Sequence, residues 1–559
     1  MSTATEVLVH GLGVSPGLVC APWLAFGTPV ATSAEDPVGE SVTAELARVR
    51  DALATVSGDL EARAAQVDGV ASEILLVSAS MARDPGIVSA AEENLRAGMP
   101  TAHAVSVAFA GYCVKLEALG GYLAERVADL RDLGNRAVAV LLGVPMPGIP
   151  DPGHPFVLVA RDLSPADTAM LGGSDVVGLL TAEGGPTSHT AILAKSLGLP
   201  AIVNCADVDR LVEGRPVVLD GTTGEIVVDP SDLRQAEVAE QITEARARVE
   251  GSRGPGRTRD GAPVGLLVNI GTVDDAARAA TADSEGVGLF RTEFLYLGRQ
   301  IAPALDEQIA TYTSVLEQFA GRKVVVRTLD SGSDKPLPFL DLGAEENPAL
   351  GVRGLRVGAV YPDVLTTQLE ALGAAAATTG ADVWVMAPMV ATAEEAEGFA
   401  ALARARGIAK VGAMIEIPSA ALRARDLLEH LDFVSIGTND LSQYTCAVDR
   451  MAGSLAPLLD PWQPAVLDLI GLVGAAGTEA GAPVGVCGEA ASDPALAPVL
   501  VGLGVTSLSM VAPSLGAVRA RLAATDLGLC REMAAAARGA RSPQAGRSAV
   551  AALAPGALR

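Results

Sequence analysis

The sequence is poor in cation. Its 559 residues carry 41 Lys and Arg against 66 Asp and Glu, a net charge of −25. This speaks against nucleic acid as a partner, because phosphate backbones are held by surplus positive charge. Lysine is especially scarce, with five residues at 115, 195, 323, 335 and 410 beside 36 arginines. Cysteine occurs six times, at 20, 113, 205, 446, 487 and 530, with no CxxC pair. Neither a zinc cluster nor a dithiol site is therefore expected, and the compartment reads as reducing and cytoplasmic. Hydrophobic residues make up 49% of the chain, yet charge, Gly or Pro interrupts them every few residues. No run of about 18 apolar residues occurs, so membrane insertion is not expected. The opening MSTATEVLVHGLGVSPG has no basic leader, apolar stretch or A-x-A site, and is not read as a signal peptide.

At roughly 100 to 200 residues per domain, the length predicts two to four domains. Residues 6–26 alternate short Val/Leu runs with Gly and Pro, which suits strands and tight turns. From about 40 to 143 the texture is helical, with apolar residues at three- and four-residue spacing, as in a bundle inserted into another domain. Strand texture returns at 156–164, 176–181, 201–205 and 216–229, the last a hairpin around Gly221 and Gly224. An Ala/Glu/Arg helix follows Pro230, and GSRGPGRTRDG (251–261) has the composition of a hinge.

Eight strand-like segments then recur at helix-sized intervals: 264–269, 287–290, 323–328, 349–353, 383–388, 411–416, 433–437 and 484–487. Eight such units in about 300 residues predict a (β/α)8 barrel, with a doubly wound sheet as the alternative. Asn269, Arg291, Arg327, Arg353, Glu416, Asn439, Asp440 and Cys487 all lie at or just past C-terminal strand ends, which in a barrel form the catalytic face. The closing RSPQAGRSAVAALAPGALR reads as a loose tail.

Four groups of residues carry chemistry. In GGPTSHTAILAK, two glycines allow a sharp turn, Thr187 or Ser188 can cap a helix, and His189 falls in its first turn. There an imidazole can attack phosphorus beside free helix N–H groups, although a lone histidine is more often structural. Arg291, Arg327, Arg353, Arg356 and Arg450 form a cationic set suited to a small polyanion, since guanidinium forks match carboxylate and phosphate. Surface ion pairing is the plainer reading of any one of them. Glu416 and Asp440 end consecutive strands and suit Mg²⁺, which keeps positions for water and substrate oxygens; salt bridges are the alternative. Cys487 is either an inert buried thiol or an acid/base group at the catalytic face.

GGPTSHTAI, SIGTNDLSQYTCAVDR and VCGE together resemble enzyme I of the bacterial sugar phosphotransferase system. The likeness runs in family order through GLGVSPG, YLAERVADLRDLG, TSHT, NIGT, EGVGLFRTEFL, VVVRTLD, ENPALGVRGLR, IGTND and CGE. The resemblance implies a multidomain α/β protein. Residues 1–32 and 144–230 would be a swivelling phosphohistidine domain, and 33–143 a helical insert that binds the carrier HPr. Residues 231–261 would be a linker helix and hinge, and 262–540 a phosphoenolpyruvate-binding (β/α)8 TIM barrel that also forms a homodimer, with 541–559 a tail.

It further implies that His189 accepts the phosphoryl group and that Thr168 orients its ring. Arg291, Arg327, Arg353, Asn439 and Arg450 would bind phosphoenolpyruvate, Glu416 and Asp440 would hold Mg²⁺, and Cys487 would protonate the enolate to give pyruvate. Departures from the family pattern are Pro186, Lys195, Ile417, the LDSGSDK loop around Lys335, and Ser78 where some relatives carry a partner-facing His. A dikinase-like enzyme with a small-molecule acceptor is an alternative. Its ATP-binding domain has no counterpart in the fewer than 190 residues before His189. A catalytically silent regulator is another, opposed by intact His189, Arg327, Glu416, Asp440 and Cys487.

Overall fold

The computed structural model describes residues 6–554 apart from 28–30, 40, 66–69, 120–126, 145, 164–166, 168–170, 172–173, 186–188, 207, 209–211, 333–335, 344 and 450–452. Thr168, Arg450, Pro186 and Lys335 therefore lie outside the described residues. For His189 and Lys195 the backbone is described and the side chain is not. The chain divides into two compact units, Met1–Ile242 and Thr243–Arg559.

In the first unit, Val- and Leu-rich runs separated by turns give eight strands: Val7–His10 (β1), Leu12–Ser15 (β2), Leu18–Ala25 (β3), Phe156–Ala160 (β4), Val176–Thr181 (β5), Ala201–Val203 (β6), Pro216–Asp220 (β7) and Glu225–Val228 (β8). They form one sheet in the order β1-β8-β7-β3-β4-β5-β6-β2. The expected hairpin is β7–β8, with Asp220 opposite Glu225. β4 is buried along its whole length, as befits a strand covered on both faces.

Between β3 and β4 stand helices Val42–Ala64 (α1), Val70–Ala82 (α2), Pro85–Arg96 (α3), Thr101–Leu119 (α4) and Val127–Leu142 (α5). Their apolar stripes meet in a core that includes Val49, Leu53, Leu60, Leu75, Ile87, Phe109 and Leu133. Arg136 of α5 is fully buried. Its Nε donates to Asp132 at 2.6 Å, Nη2 donates to Asp167 beyond β4, and Nη1 lies 3.9 Å from Asp59 of α1. One guanidinium thus ties two bundle helices to the segment that follows β4. Ser78 is also buried, so it does not face a partner. Leu76 and Val77 beside it are exposed.

The second unit holds a closed parallel barrel of Gly265–Ile270 (β9), Gly286–Arg291 (β10), Lys323–Arg327 (β11), Asp382–Ala387 (β12), Lys410–Ile415 (β13), Phe433–Ile436 (β14), Val484–Val486 (β15) and Ser507–Met510 (β16). Seven of the eight expected segments form barrel strands, and residues 349–353 do not. Pro348–Leu350 is a single helical turn, and Arg353 makes one isolated bridge to Gly332. The eighth strand is SLSM, 507–510, which has no β-branched residue to mark it.

Two other expectations change. The hinge-like 251–261 is fastened to the barrel unit: the N–H groups of Gly254 and Gly256 donate to Asp283 and Glu285, each at 2.9 Å, and Arg519 donates to Ser252 O at 3.0 Å. Within the supposed tail, Pro543–Leu553 is a helix. Val550 is buried, and Arg547 forks onto Asp460 at 2.7 and 2.8 Å. Small, low-complexity residues reveal neither partner in sequence, because the acidic and aromatic groups that hold them lie far along the chain.

Arg136→Ala would leave Asp132 and Asp167 buried against each other without their cation. The first unit should lose about 3–5 kcal/mol of stability, read by urea unfolding. A loss under about 1 kcal/mol would show that the cluster is solvated.

Candidate active site at the barrel mouth

Alternation along β11 sets the site's axis. In Lys323-Val-Val-Val-Arg327, Val324 and Val326 pack outward into the main core, and Val325 packs inward with Leu289, Met386, Met414 and Cys487. Arg327 shares the parity of Val325 and ends the strand at the C-terminal mouth. There Nη2 donates to Glu293 at 2.8 Å, Nη1 lies 3.1 Å from Asp330, and Nη1 also reaches Met414 Sδ at 3.7 Å. Burial alone would lower its pKa. Glu293 and Asp330 outweigh burial and hold the guanidinium charged.

Asp330, fully buried, is shared with Arg353. The Nε and Nη2 of Arg353 donate to its two oxygens at 3.0 and 3.1 Å. Arg353 Nη1 donates to Asp440 Oδ1 at 2.8 Å and to the Tyr444 hydroxyl at 3.2 Å. Every nitrogen of this 1% exposed side chain is thus engaged within the protein. Asp440 lies in the first turn of Thr438–Cys446 (α6), directly after β14.

Glu416 follows β13. Its Oε1 accepts from Met389 N at 2.6 Å, from a residue held at φ 57°, a backbone region costly for a non-glycine. Its Oε2 is buried and has no partner among the described residues. Burial first, then the charges of Asp440 and Asp330, push Glu416 up to about 8 against the pull of Arg327. Gly437 makes room for this carboxylate, since a Cβ there would lie 2.9 Å from Oε2. A buried carboxylate oxygen without a donor, beside a second carboxylate, fits a hard divalent cation that keeps water and ligand oxygens in its remaining positions.

Arg291 ends β10 with its surface accessible. The surrounding protein, then the neighbouring Arg327 charge, lowers its pKa, so an anion there would relieve repulsion between two cations. Asn439 is exposed and accepts from Glu489 N at 3.1 Å. Asn269 is used internally: its Nδ2 donates to the carbonyls of Cys487 and Ser509, both at 3.3 Å. Arg356 donates to Leu350 O and Gly351 O and sits apart from this network. Cys487 follows β15, is 3% exposed, and its Sγ contacts Ile436 O at 3.6 Å. Burial pushes the thiol up to about 11, so it keeps its proton at neutral pH.

The barrel mouth therefore brings together Arg291, Arg327, Arg353, Glu416, Asn439, Asp440 and Cys487. In the first unit His189 opens a helix, His189–Leu197 (α7). Sequence reasoning missed Glu293, Asp330, Met389 and Tyr444. FRTEF and VRTLD contain the first two, each a carboxylate two or three residues past a strand-end arginine; Met389 and Tyr444 leave no comparable signal.

The descriptions "PEP-utilising enzyme, PEP-binding domain", "PEP-utilising enzyme, mobile domain" and "PEP-utilising enzyme, N-terminal" match residues 248–527, 152–224 and 10–126. The chain thus has the domains of a phosphoenolpyruvate-utilising enzyme. A phosphoenolpyruvate-protein phosphotransferase of Streptomyces coelicolor is 50% identical over 99% of this chain and 100% of its own length. Proteins of the same name from Haloferax volcanii and Geobacillus stearothermophilus are 41% and 38% identical, over 95% and 92% of this chain and 96% and 93% of theirs. The chain belongs to the enzyme I family of phosphoenolpyruvate-protein phosphotransferases.

Alkylation with iodoacetamide at pH 8, followed by peptide mass spectrometry, should label the half-buried Cys20 and Cys446 and spare Cys487. Equal labelling would mean that the Cys487 thiol is neither enclosed nor held protonated.

Proposed function

We propose that this chain takes the phosphoryl group of phosphoenolpyruvate onto His189, releases pyruvate, and passes the group to the carrier HPr as the first step of sugar uptake in the cytoplasm. The observation that carries this reading is the charge balance at the barrel mouth. Arg327 and Arg353 face four carboxyl groups, Glu293, Asp330, Glu416 and Asp440, and this excess of carboxyl groups, added to burial, pushes Glu416 up to about 8. One divalent cation would offset that excess, and Glu416 with its unpartnered Oε2 and Asp440 are the residues that would hold Mg²⁺. When bound, Mg²⁺ would offset charge on phosphate and enolate oxygens.

The chain's own groups supply the rest. Arg291 and Arg327 would bind the phosphate, with Arg450 and Asn439 completing the anion site. Arg353 holds Asp440 in place and bears on substrate through it. His189 attacks phosphorus in line, at the first turn of a helix whose dipole favours the phosphoryl anion, and Thr168 would orient its ring. As the P–O bond breaks, the enolate takes a proton at its methylene carbon from Cys487, whose thiol is loaded at neutral pH.

Exposed Leu76 and Val77 on α2 support the bundle as the HPr-docking element. Exposed Leu297, Ile301, Leu422, Leu455 and Leu458 on the barrel unit support a homodimer. Because 251–261 is tied to the barrel, a swivel of the His189 domain would be absorbed before residue 251.

With Mg²⁺ and labelled phosphoenolpyruvate, the chain should acquire acid-labile label that HPr removes. His189→Ala should take up none while still binding phosphoenolpyruvate, and histidine phosphorylation in that variant would sink the assignment. Arg327→Lys should slow turnover by about 100-fold, because a point ammonium cannot span Glu293, Asp330 and a phosphate as a planar fork does. Parent kinetics would remove Arg327 from the phosphate site.

A further inference from the structure

Closed (β/α)8 barrels ordinarily fill their axis with layers of large branched side chains. Below Cys487 this barrel sets Gly288, Ser435, Gly485, Ser507 and Ser509 among apolar residues such as Leu267, Val325 and Phe433, around a cavity whose lining also includes Lys323. The space suffices for about one water molecule. At its upper end Ser435 stands opposite Gly485 on the neighbouring strand, one inward position below Cys487, and its hydroxyl pulls the thiol down against the effect of burial. In the middle, a Cβ on Gly485 would lie 3.1 Å from Ser507 Oγ and 3.4 Å from Ser435 Oγ, so the two hydroxyls flank the gap that this glycine leaves. Gly485 has no positive φ to require a glycine; the space does.

At the lower end Lys323 begins β11, and its Nζ lies 3.6 Å above the Trp384 ring. It is part-buried, and burial lowers it to about 8, so it gives and regains a proton near neutral pH. The mouth above offers Cys487 little: the thiol is 3% exposed, and a ligand at the arginines would cover it.

We propose that this column of hydroxyls is a proton-return route from the N-terminal end of the barrel to Cys487. The inference rests on the role proposed above for Cys487. When the Cys487 S–H bond breaks and the C–H bond of pyruvate forms, a thiolate remains. Ser435 gives its hydroxyl proton to the sulfur and takes one from the cavity water, which Ser507 holds. That water is reprotonated by the Lys323 ammonium, and the Lys323 amine recovers its proton from bulk water. One solvent proton is consumed for each pyruvate formed, and nothing is oxidised or reduced.

The test uses the full chain with Mg²⁺, phosphoenolpyruvate and [¹⁴C]pyruvate in D₂O, without an acceptor protein. Carbon exchange between pyruvate and phosphoenolpyruvate reads phosphoryl transfer and its reversal. Deuterium entering the pyruvate methyl group, corrected for the enzyme-free rate, reads renewal of the Cys487 proton from solvent. Gly485→Ala puts a methyl group into the gap, and Ser507→Ala removes the hydroxyl that holds the water. Each should lower deuterium uptake per carbon exchanged by about ten-fold. Parent ratios in both variants would overturn the route and make the C-terminal mouth the proton source. Cys487→Ala separates this from the underlying reading: if that variant exchanges carbon and takes up deuterium as the parent does, Cys487 is not the proton carrier and the route has no terminus.

Discussion

Asp330 is the residue on which the barrel mouth depends. A carboxylate removed entirely from water is tolerable only if its oxygens are matched by donors, and two guanidiniums meet this one: Arg353 across both oxygens and Arg327 on one. Those contacts fix two long side chains that would otherwise lose rotamer freedom only on meeting a ligand. Arg353 passes the constraint on to Asp440, and Arg327 passes it to Glu293, which also caps the Asp330 amide at 2.9 Å. The result is a rigid set of charges aimed at one mouth, the kind of preorganisation from which electrostatic catalysis draws most of its effect.

The same network explains why Glu416 is left wanting. Its Oε1 is taken by Met389, whose strained backbone is held by the surrounding loop, and Gly437 opens the space on its other side. Nothing among the described residues donates to Oε2. A buried carboxylate with one oxygen undonated, next to Asp440 and Asp330, is a place that either a proton or a hard cation would stabilise. Strain at Met389 is sustained by the barrel around it, so the cost is borne by the fold.

Much of this was legible because barrel chemistry is written at strand ends. Arg291, Arg327, Glu416 and Cys487 stand at or one residue past the ends of β10, β11, β13 and β15, and alternating Val runs locate those ends. What could not be read lies in loops. ENPALGVR looks like a strand because Leu, Val and Arg follow one another. Its role is to bring Arg353 back beside Asp330, 23 residues earlier, and no local pattern records that return. SLSM is the opposite case: a buried strand whose serines point at the axis, so its composition carries a polar interior that hydropathy discounts. The 251–261 segment and the terminal helix were misread because their glycines and alanines are held by partners supplied from distant parts of the chain.

In the first unit the fold itself argues for a shared fate of bundle and sheet. β3 and β4 are neighbours and run parallel, Trp23 beside Val157, and parallel neighbours cannot be joined by a tight turn; they need a crossover connection. The helical bundle is that crossover. It is therefore anchored at both ends to adjacent strands at the middle of the sheet, and Arg136 adds a third tie to Asp167 beyond β4. Three attachments leave little freedom to rotate the bundle against the sheet. α2 and the start of α7, proposed above as docking surface and phosphoryl acceptor, are thus carried by one body, and the proposed swivel would be absorbed by the chain that leaves this unit after β8.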